Sequence, residues 1–387
     1  MTNRHEIAVV LGARPEITKL ARVVRGLGEG TGIISTAQPD GELSEEFLLR
    51  ALGLPQARLS LPGLGGSSRG VHIAKGIGRL VQYFEARRPR LVIVHGDTET
   101  AAAGAQAGNY CGIPVLHVGA GLRSYNRDRP EETNRRIVSV LADIHCTPTV
   151  YNASNLLAEG VGAEQIRVTG DPVVESTLEA APCTVASRET LNAYGLAGGD
   201  FILATIHHPE STDNVLRLER TLRELASLPL PVVFPVHPRT AARVLEFGLE
   251  PLMDKLRHIP PLDHTAFLAL AGSARLLISD SDGVLEECTI LKKPVIILHD
   301  STGRPEAVFA GFAVRAVRGE IIEKALDILA DEYLSVNLKS VASPFGDGRA
   351  TARIVTIAAA MARGEIPPFT NLDHDFRLGY ELPFMDR

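Results

Sequence analysis

The sequence predicts an α/β protein made of two doubly wound halves, each a parallel sheet with helices on its faces. Three observations carry this. Short apolar runs rich in β-branched residues alternate with helical stretches, the series of runs occurs twice, and 387 residues are too many for one core.

The runs come in order as Ile7–Leu11, Gly32–Ser35, Leu91–His95 and Val115–Val118, then Phe201–Ile206, Val232–Val236, Leu276–Ser279 and Val295–Leu298. Each is short and apolar on both sides, as in a strand buried on two faces of a parallel sheet. Helical stretches such as Thr18–Leu27, Gly76–Ala86 and Asn134–Ala142 lie between them, giving βαβ units. The series breaks near residues 171–200, where Gly170-Asp171-Pro172 precedes the loosely polar Ala180–Gly199. The expected domains are 1–175 and 176–361, with the tail 362–387 packing back on the first.

Composition excludes several classes. Hydrophobic content of 45% with 22% charge is that of a globular protein, and a net charge of −6 speaks against nucleic acid or an anionic membrane as partner. Cys111, Cys146, Cys183 and Cys288 are scattered, without ligand spacing, and read as thiols in a reducing compartment. No apolar run approaches the roughly 20 residues of a membrane span, and the first residues lack the apolar stretch of a signal peptide. The expectation is a cytoplasmic protein with no metal.

In open α/β sheets the chemistry sits beyond the carboxyl ends of the strands, where helix N-termini point at the ligand. After the first strand, Gly12-Ala13-Arg14-Pro15-Glu16 and Lys19 offer two cations and a helix start to an anion. After the third, Asp97 either caps the next helix or presents a carboxylate as a base. After the fourth, Gly119-Ala120-Gly121 leads into a run of charge from Arg127 to Arg136. Such runs are usually solvated, but Glu131 and Arg135 are four apart and share a helix face. In the second half, two strands end in His207 and His237, and imidazoles there suit diphosphate binding or proton transfer near neutral pH. Ser281 and Gly283 open a helix as a diphosphate nest, Glu287 stands where a carboxylate would take ribose hydroxyls, and Arg304 precedes another helix start.

Taken together, GARPEITKL, VIVHGDTET, HVGAGLRS, PEETNRR, TIHHPES, FPVHPR, SDSDGVLEE and STGRPEA are similar, in order and spacing, to the motifs of the non-hydrolysing UDP-N-acetylglucosamine 2-epimerases. The resemblance runs over most of the chain. It implies the GT-B fold, two Rossmann-like doubly wound domains facing a central cleft, and a homodimer. It also implies inversion at C2 of a nucleotide sugar, without a cofactor, by elimination and re-addition of the nucleotide diphosphate. On that reading Asp97 and Glu131 are the acid/base carboxylates, and Arg14, Lys19, His207, Ser281 and Arg304 hold the diphosphate. Glu287 takes the ribose, Phe267 packs on the base, and Arg135 and His237 shape the sugar pocket.

The chain departs from the family pattern at four places. Gly119 stands where relatives carry a glutamate, and losing one general acid–base group typically costs ~10²–10⁴ in rate. Asp282 stands in the phosphate nest where a glycine is usual. Leu285 replaces a glutamine, and His208-Pro209 an Arg-Arg pair, while Gln38-Pro39-Asp40 replaces the effector segment. Three functions therefore stand side by side: a C2 epimerase, a relative that eliminates, hydrolyses or dehydrates a different nucleoside or sugar, and an inactive nucleotide-sugar binding protein.

Overall fold

The computed structural model describes residues 7–12, 14–36, 49–60, 68–197, 199–298, 302–317 and 319–365. Gln38-Pro39-Asp40, Ser301 and residues 366–387, which carry the expectations for an effector segment and for the packing of the tail, lie outside the described residues. The chain divides into two compact units, Met1–Pro172 with Gly348–Arg387, and Val173–Asp347.

The first unit holds β1 (Ile7–Leu11), β2 (Thr31–Ser35), β3 (Leu59–Ser60), β4 (Leu91–His95), β5 (Val115–Val118), β6 (Ile144–Thr147) and β7 (Ile166–Val168). They form one parallel sheet in the order β3-β2-β1-β4-β5-β6-β7. The strand period of two sends alternate residues to opposite faces. Ile7, Val9, Leu11, Leu91 and Ile93 join one apolar cluster. Ala8, Val10, Val92 and Val94 join another, on the face covered by the helices Arg69–Arg87 and Glu99–Tyr110. Both faces are therefore buried, which is why these strands read as unbroken apolar runs.

The second unit repeats the arrangement with β8 (Ile202–Thr205), β9 (Val232–Pro235), β10 (Arg257–Ile259), β11 (Leu276–Ser279), β12 (Val295–Ile297) and β13 (Ala313–Arg315). The order is β10-β9-β8-β11-β12-β13, again all parallel. Leu203, Val233, Leu277 and Ile297 face one cluster; Ile202, Ala204, Phe234, Ile278 and Ile296 face the other.

All eight expected strands are present, four with the expected ends and four with one or both ends shifted by one residue. Five were not legible. Ile144–Thr147 reads Ile-His-Cys-Thr, and two polar side chains that are nonetheless buried disguise the run. The others, β3, β7, β10 and β13, are short segments of two or three residues. One assignment is corrected. The helix Ala350–Ala362, expected in the second half, belongs to the first unit, because Ile354, Ile357, Ala358 and Met361 complete the cluster around β1 and the helix Arg14–Leu27. No described helix is long and apolar enough to cross a membrane.

Candidate active site

Each sheet reverses its direction of growth once, between β1 and β4 in the first unit and between β8 and β11 in the second. A crevice opens beyond the carboxyl ends of the strands at such a point, because the loops leaving the two neighbours run apart. The strand-end residues singled out from the sequence lie at or beside these two places.

In the first unit β1 is followed by Gly12, and only glycine fits there: a Cβ would lie 1.9 Å from Thr100 Oγ1. The helix Arg14–Leu27 opens directly afterwards, with the Arg14 side chain outside what is described. Buried Glu16 ties this turn to the one after β4, accepting the Gly12 N–H at 2.6 Å and the Thr98 hydroxyl at 2.5 Å. Lys19 is mostly buried, with Nζ 3.8 Å from Asp171 Oδ2.

Asp97 follows β4 through Gly96, whose φ of +66° permits the sharp exit. It does not cap the next helix; Thr98 does, accepting the Ala101 N–H. Its Oδ2 instead accepts Arg135 Nε at 2.8 Å and lies 2.6 Å from the second guanidinium nitrogen. Arg135 also holds Glu132, Nη1 to Oε2 at 3.0 Å, and that oxygen accepts the Ser124 N–H and hydroxyl as well. Burial pushes the Glu132 carboxyl up, but the Ser124 amide and the Arg135 guanidinium outweigh it and hold it below the usual glutamate range. Glu131 is exposed in the first helical turn. The sequence placed Glu131 and Arg135 on one helix face; geometry joins Asp97, Arg135 and Glu132 and leaves Glu131 outside that network. Gly119, with φ of +73°, stands beside His95, whose Nε2 would lie 3.5 Å from a Cβ there.

In the second unit the rings of His207 and His237 lie 5.3 Å apart, centroid to centroid, and those of His207 and His208 5.4 Å apart. Burial lowers the His207 pKa, opposed by the carboxylate of Asp280. Burial also lowers that of His237, aided by Arg239. Burial thus favours the neutral form of both imidazoles. Ser281 holds the N-cap position of the helix Asp282–Leu291, but its side chain makes no capping bond. A Cβ at Gly283 would meet only Ser281 Oγ, at 3.6 Å, so this helix start is open to close approach. Asp282 is the first residue of the helix.

Glu287 accepts a hydrogen bond from His264 Nε2 at 2.7 Å, and that bond raises the His264 pKa. Phe267, on the helix His264–Ser273, is half-buried against the core of the second unit. Arg304 is buried, and its Nε donates to Glu286. Sequence reasoning gave no role to Glu16, Glu132, Asp171, His264, Asp280 or Glu286. Each is an acid or histidine committed to a partner distant in sequence or in an adjacent turn. The one local signal was the pairing of Asp280 with a strand end that already carried Ser281.

The UDP-N-acetylglucosamine 2-epimerase family profile matches residues 29–359. The UDP-N-acetylglucosamine 2-epimerase of Methanocaldococcus jannaschii is 34% identical over 366 residues, covering 91% of this chain and 98% of its own. A putative enzyme of the same description from Thermotoga maritima is 35% identical over 365 residues, covering 89% and 94%. The crystal structure of the M. jannaschii enzyme in complex with UDP-GlcNAc and UDP matches with a TM-score of 0.82, at 32% identity over 91% of this chain and 99% of that one. The Neisseria meningitidis enzyme bound to UDP-GlcNAc matches with a TM-score of 0.81, at 30% identity over 90% and 98%.

Proposed function

Since the chain belongs to the UDP-N-acetylglucosamine 2-epimerase family, we propose that it is an isomerase inverting C2 of UDP-GlcNAc or a closely related nucleotide sugar. The observation that carries this reading is Asp97, a carboxylate fixed by Arg135 at the β1/β4 switch point. The paired histidines and the open helix start at the β8/β11 switch point support it. The crystallised M. jannaschii and N. meningitidis enzymes hold UDP-GlcNAc, and the GT-B fold of the family fits both sheets.

The reaction divides into two halves. A base takes the C2 proton while the C1–O bond to the diphosphate breaks, and the electron pair left at C2 closes a C1=C2 double bond. The nucleotide then leaves with the bonding pair of its oxygen. On return, that oxygen adds to C1 and a proton reaches C2 from the opposite face. Asp97 and Glu131 are proposed as the acid/base carboxylates. In the second unit His207, Ser281, Arg304 and the amides around Gly283 take the departing diphosphate. Glu287 accepts the ribose hydroxyls, Phe267 stacks on the base, and Arg135 and His237 border the sugar. Free thiols at all four cysteines fit a reducing cytoplasm. A homodimer is proposed on the resemblance to the family, and light scattering would report it as twice the 41.6 kDa chain mass.

Incubation with UDP-GlcNAc in D₂O, followed by NMR, tests the reaction. The expected outcome is UDP-ManNAc carrying deuterium at C2. Free UDP with ManNAc would replace epimerisation by hydrolysis, the alternative that Gly119 favours. Binding without exchange at C2 would leave the protein a binder, or an enzyme for another sugar.

A further inference from the structure

Asp280 follows β11 directly and is fully buried. A carboxylate withdrawn from water must recover its hydration from protein donors. It does so across the switch point: its oxygens accept the His207 N–H at 3.1 and 3.0 Å and the His208 N–H at 2.9 Å. The same side chain lies alongside the His207 ring, with Oδ1 3.5 Å from Nδ1. The His237 ring beside it is oriented differently, its Nδ1 accepting the Arg239 N–H at 3.2 Å.

We propose that Asp280 is the positioning residue for His207, accepting its Nδ1–H so that Nε2 is the ring atom presented to the substrate. The inference rests on the reading of His207 as a group that meets the nucleotide diphosphate. Two bonds to the backbone fix where the ring starts, and the contact to Nδ1 fixes how it turns. A neutral ring held this way has its lone pair on Nε2; a protonated one offers an N–H there, with the charge balanced by the carboxylate behind it. The groups facing the ring are His208 from its own turn, His237 with Arg239 behind it from the turn after β9, and Asp280 from β11. The two histidines and burial disfavour a charged ring, and Asp280 opposes them.

The pair is tested first without turnover. ¹⁵N-resolved NMR of the histidine rings should find His207 of the native protein as the Nδ1–H tautomer. Finding the Nε2–H tautomer would overturn the proposal whatever the protein catalyses. In Asp280→Asn the His207 titration midpoint should move to lower pH. An unchanged midpoint and tautomer in a folded variant would also overturn it. For turnover, kcat of Asp280→Asn should fall at least ~10-fold with KM changing less, and its pH profile should shift with the NMR midpoint. In a His207→Asn background the same substitution should cost little more. Equal losses in both backgrounds would assign Asp280 a role in the fold alone. If the NMR arm succeeds while no epimerase activity exists, the pairing stands and the functional reading falls.

Discussion

Asp97 and Glu132 are held by one guanidinium, yet their surroundings assign them different work. The Asp97 side chain keeps 22% of its surface exposed and Glu132 only 2%. Glu132 is surrounded by donors from Ser124 and Arg135, and an acid held so firmly ionised is a poor proton carrier. Removing one partner of a buried pair costs about 3–5 kcal/mol. Glu132→Ala should therefore lower stability by that order in denaturant unfolding. Asp97→Asn should keep the fold and lose ~10²–10⁴ in turnover, and Glu131→Gln should lower turnover while shifting stability by less than about 0.5 kcal/mol. An Asp97→Asn enzyme of full activity would remove the assigned base. Helix phase placed Glu131 with Arg135 and could not exclude it, since positions 131, 135 and 138 share a face. What turns Glu132 inward is Ser124, in a stretch without periodicity, and no sequence pattern announces that contact. The left-handed backbone of Gly119, strained for any side chain, was not legible in the sequence.

Strands β4, β5 and β6 each carry a buried histidine: His95, His117 and His145. His117 and His145 are register neighbours with ring centroids 6.2 Å apart, and His117 Nε2 is 2.9 Å from the Gly96 carbonyl, one residue before Asp97. Neutral rings on adjacent strands thus pack beneath the turn that carries Asp97. Burial depresses both pKa values, that of His117 well below 6.5 and that of His145 to about 4. In the unfolded chain both return to about 6.5. Below that pH the unfolded state binds protons that the folded state refuses, so stability falls as pH drops. The share of His145 is lost between about 6.5 and 4 and amounts to about 3 kcal/mol. His207 and His237, also depressed, act in the same direction. Urea midpoints should therefore drop from pH 7 to pH 4.5, and His145→Gln should flatten the slope; a midpoint independent of pH in this range would contradict the account. Of these only the strand of His145 escaped the sequence reading, because polar residues inside a strand look like its end; His95 and His117 lay within runs read as strands.

At the scale of the whole chain, the two-unit plan was legible because strand–helix alternation restarts after the Gly170-Asp171-Pro172 segment, and the units divide at Pro172. Its closing step was not. An apolar stripe on Ala350–Ala362 says that a face is buried, not which sheet buries it. The chain returns to the first unit, where Ile354 is fully buried among Ile17, Leu20 and Val24. Helices Arg14–Leu27 and Ala350–Ala362 meet through Gly26, where a Cβ would lie 2.9 Å from Val355 Cγ2. Arg353 ties the returning helix to the Thr169 carbonyl at 3.1 Å, just ahead of the crossing into the second unit. The first unit therefore depends on segments far apart in sequence, one before Pro172 and one after Gly348. Ile354→Ala opens a cavity in this cluster and should cost about 2–4 kcal/mol. The loss should be local: native-state hydrogen exchange should quicken for amides of β1, β4 and the helix Arg14–Leu27, while those of β8 and β11 keep their protection. Equal loss in both sheets would mean that the units unfold as one body, and protection lost first in β8 and β11 would contradict the assignment of this helix to the first unit.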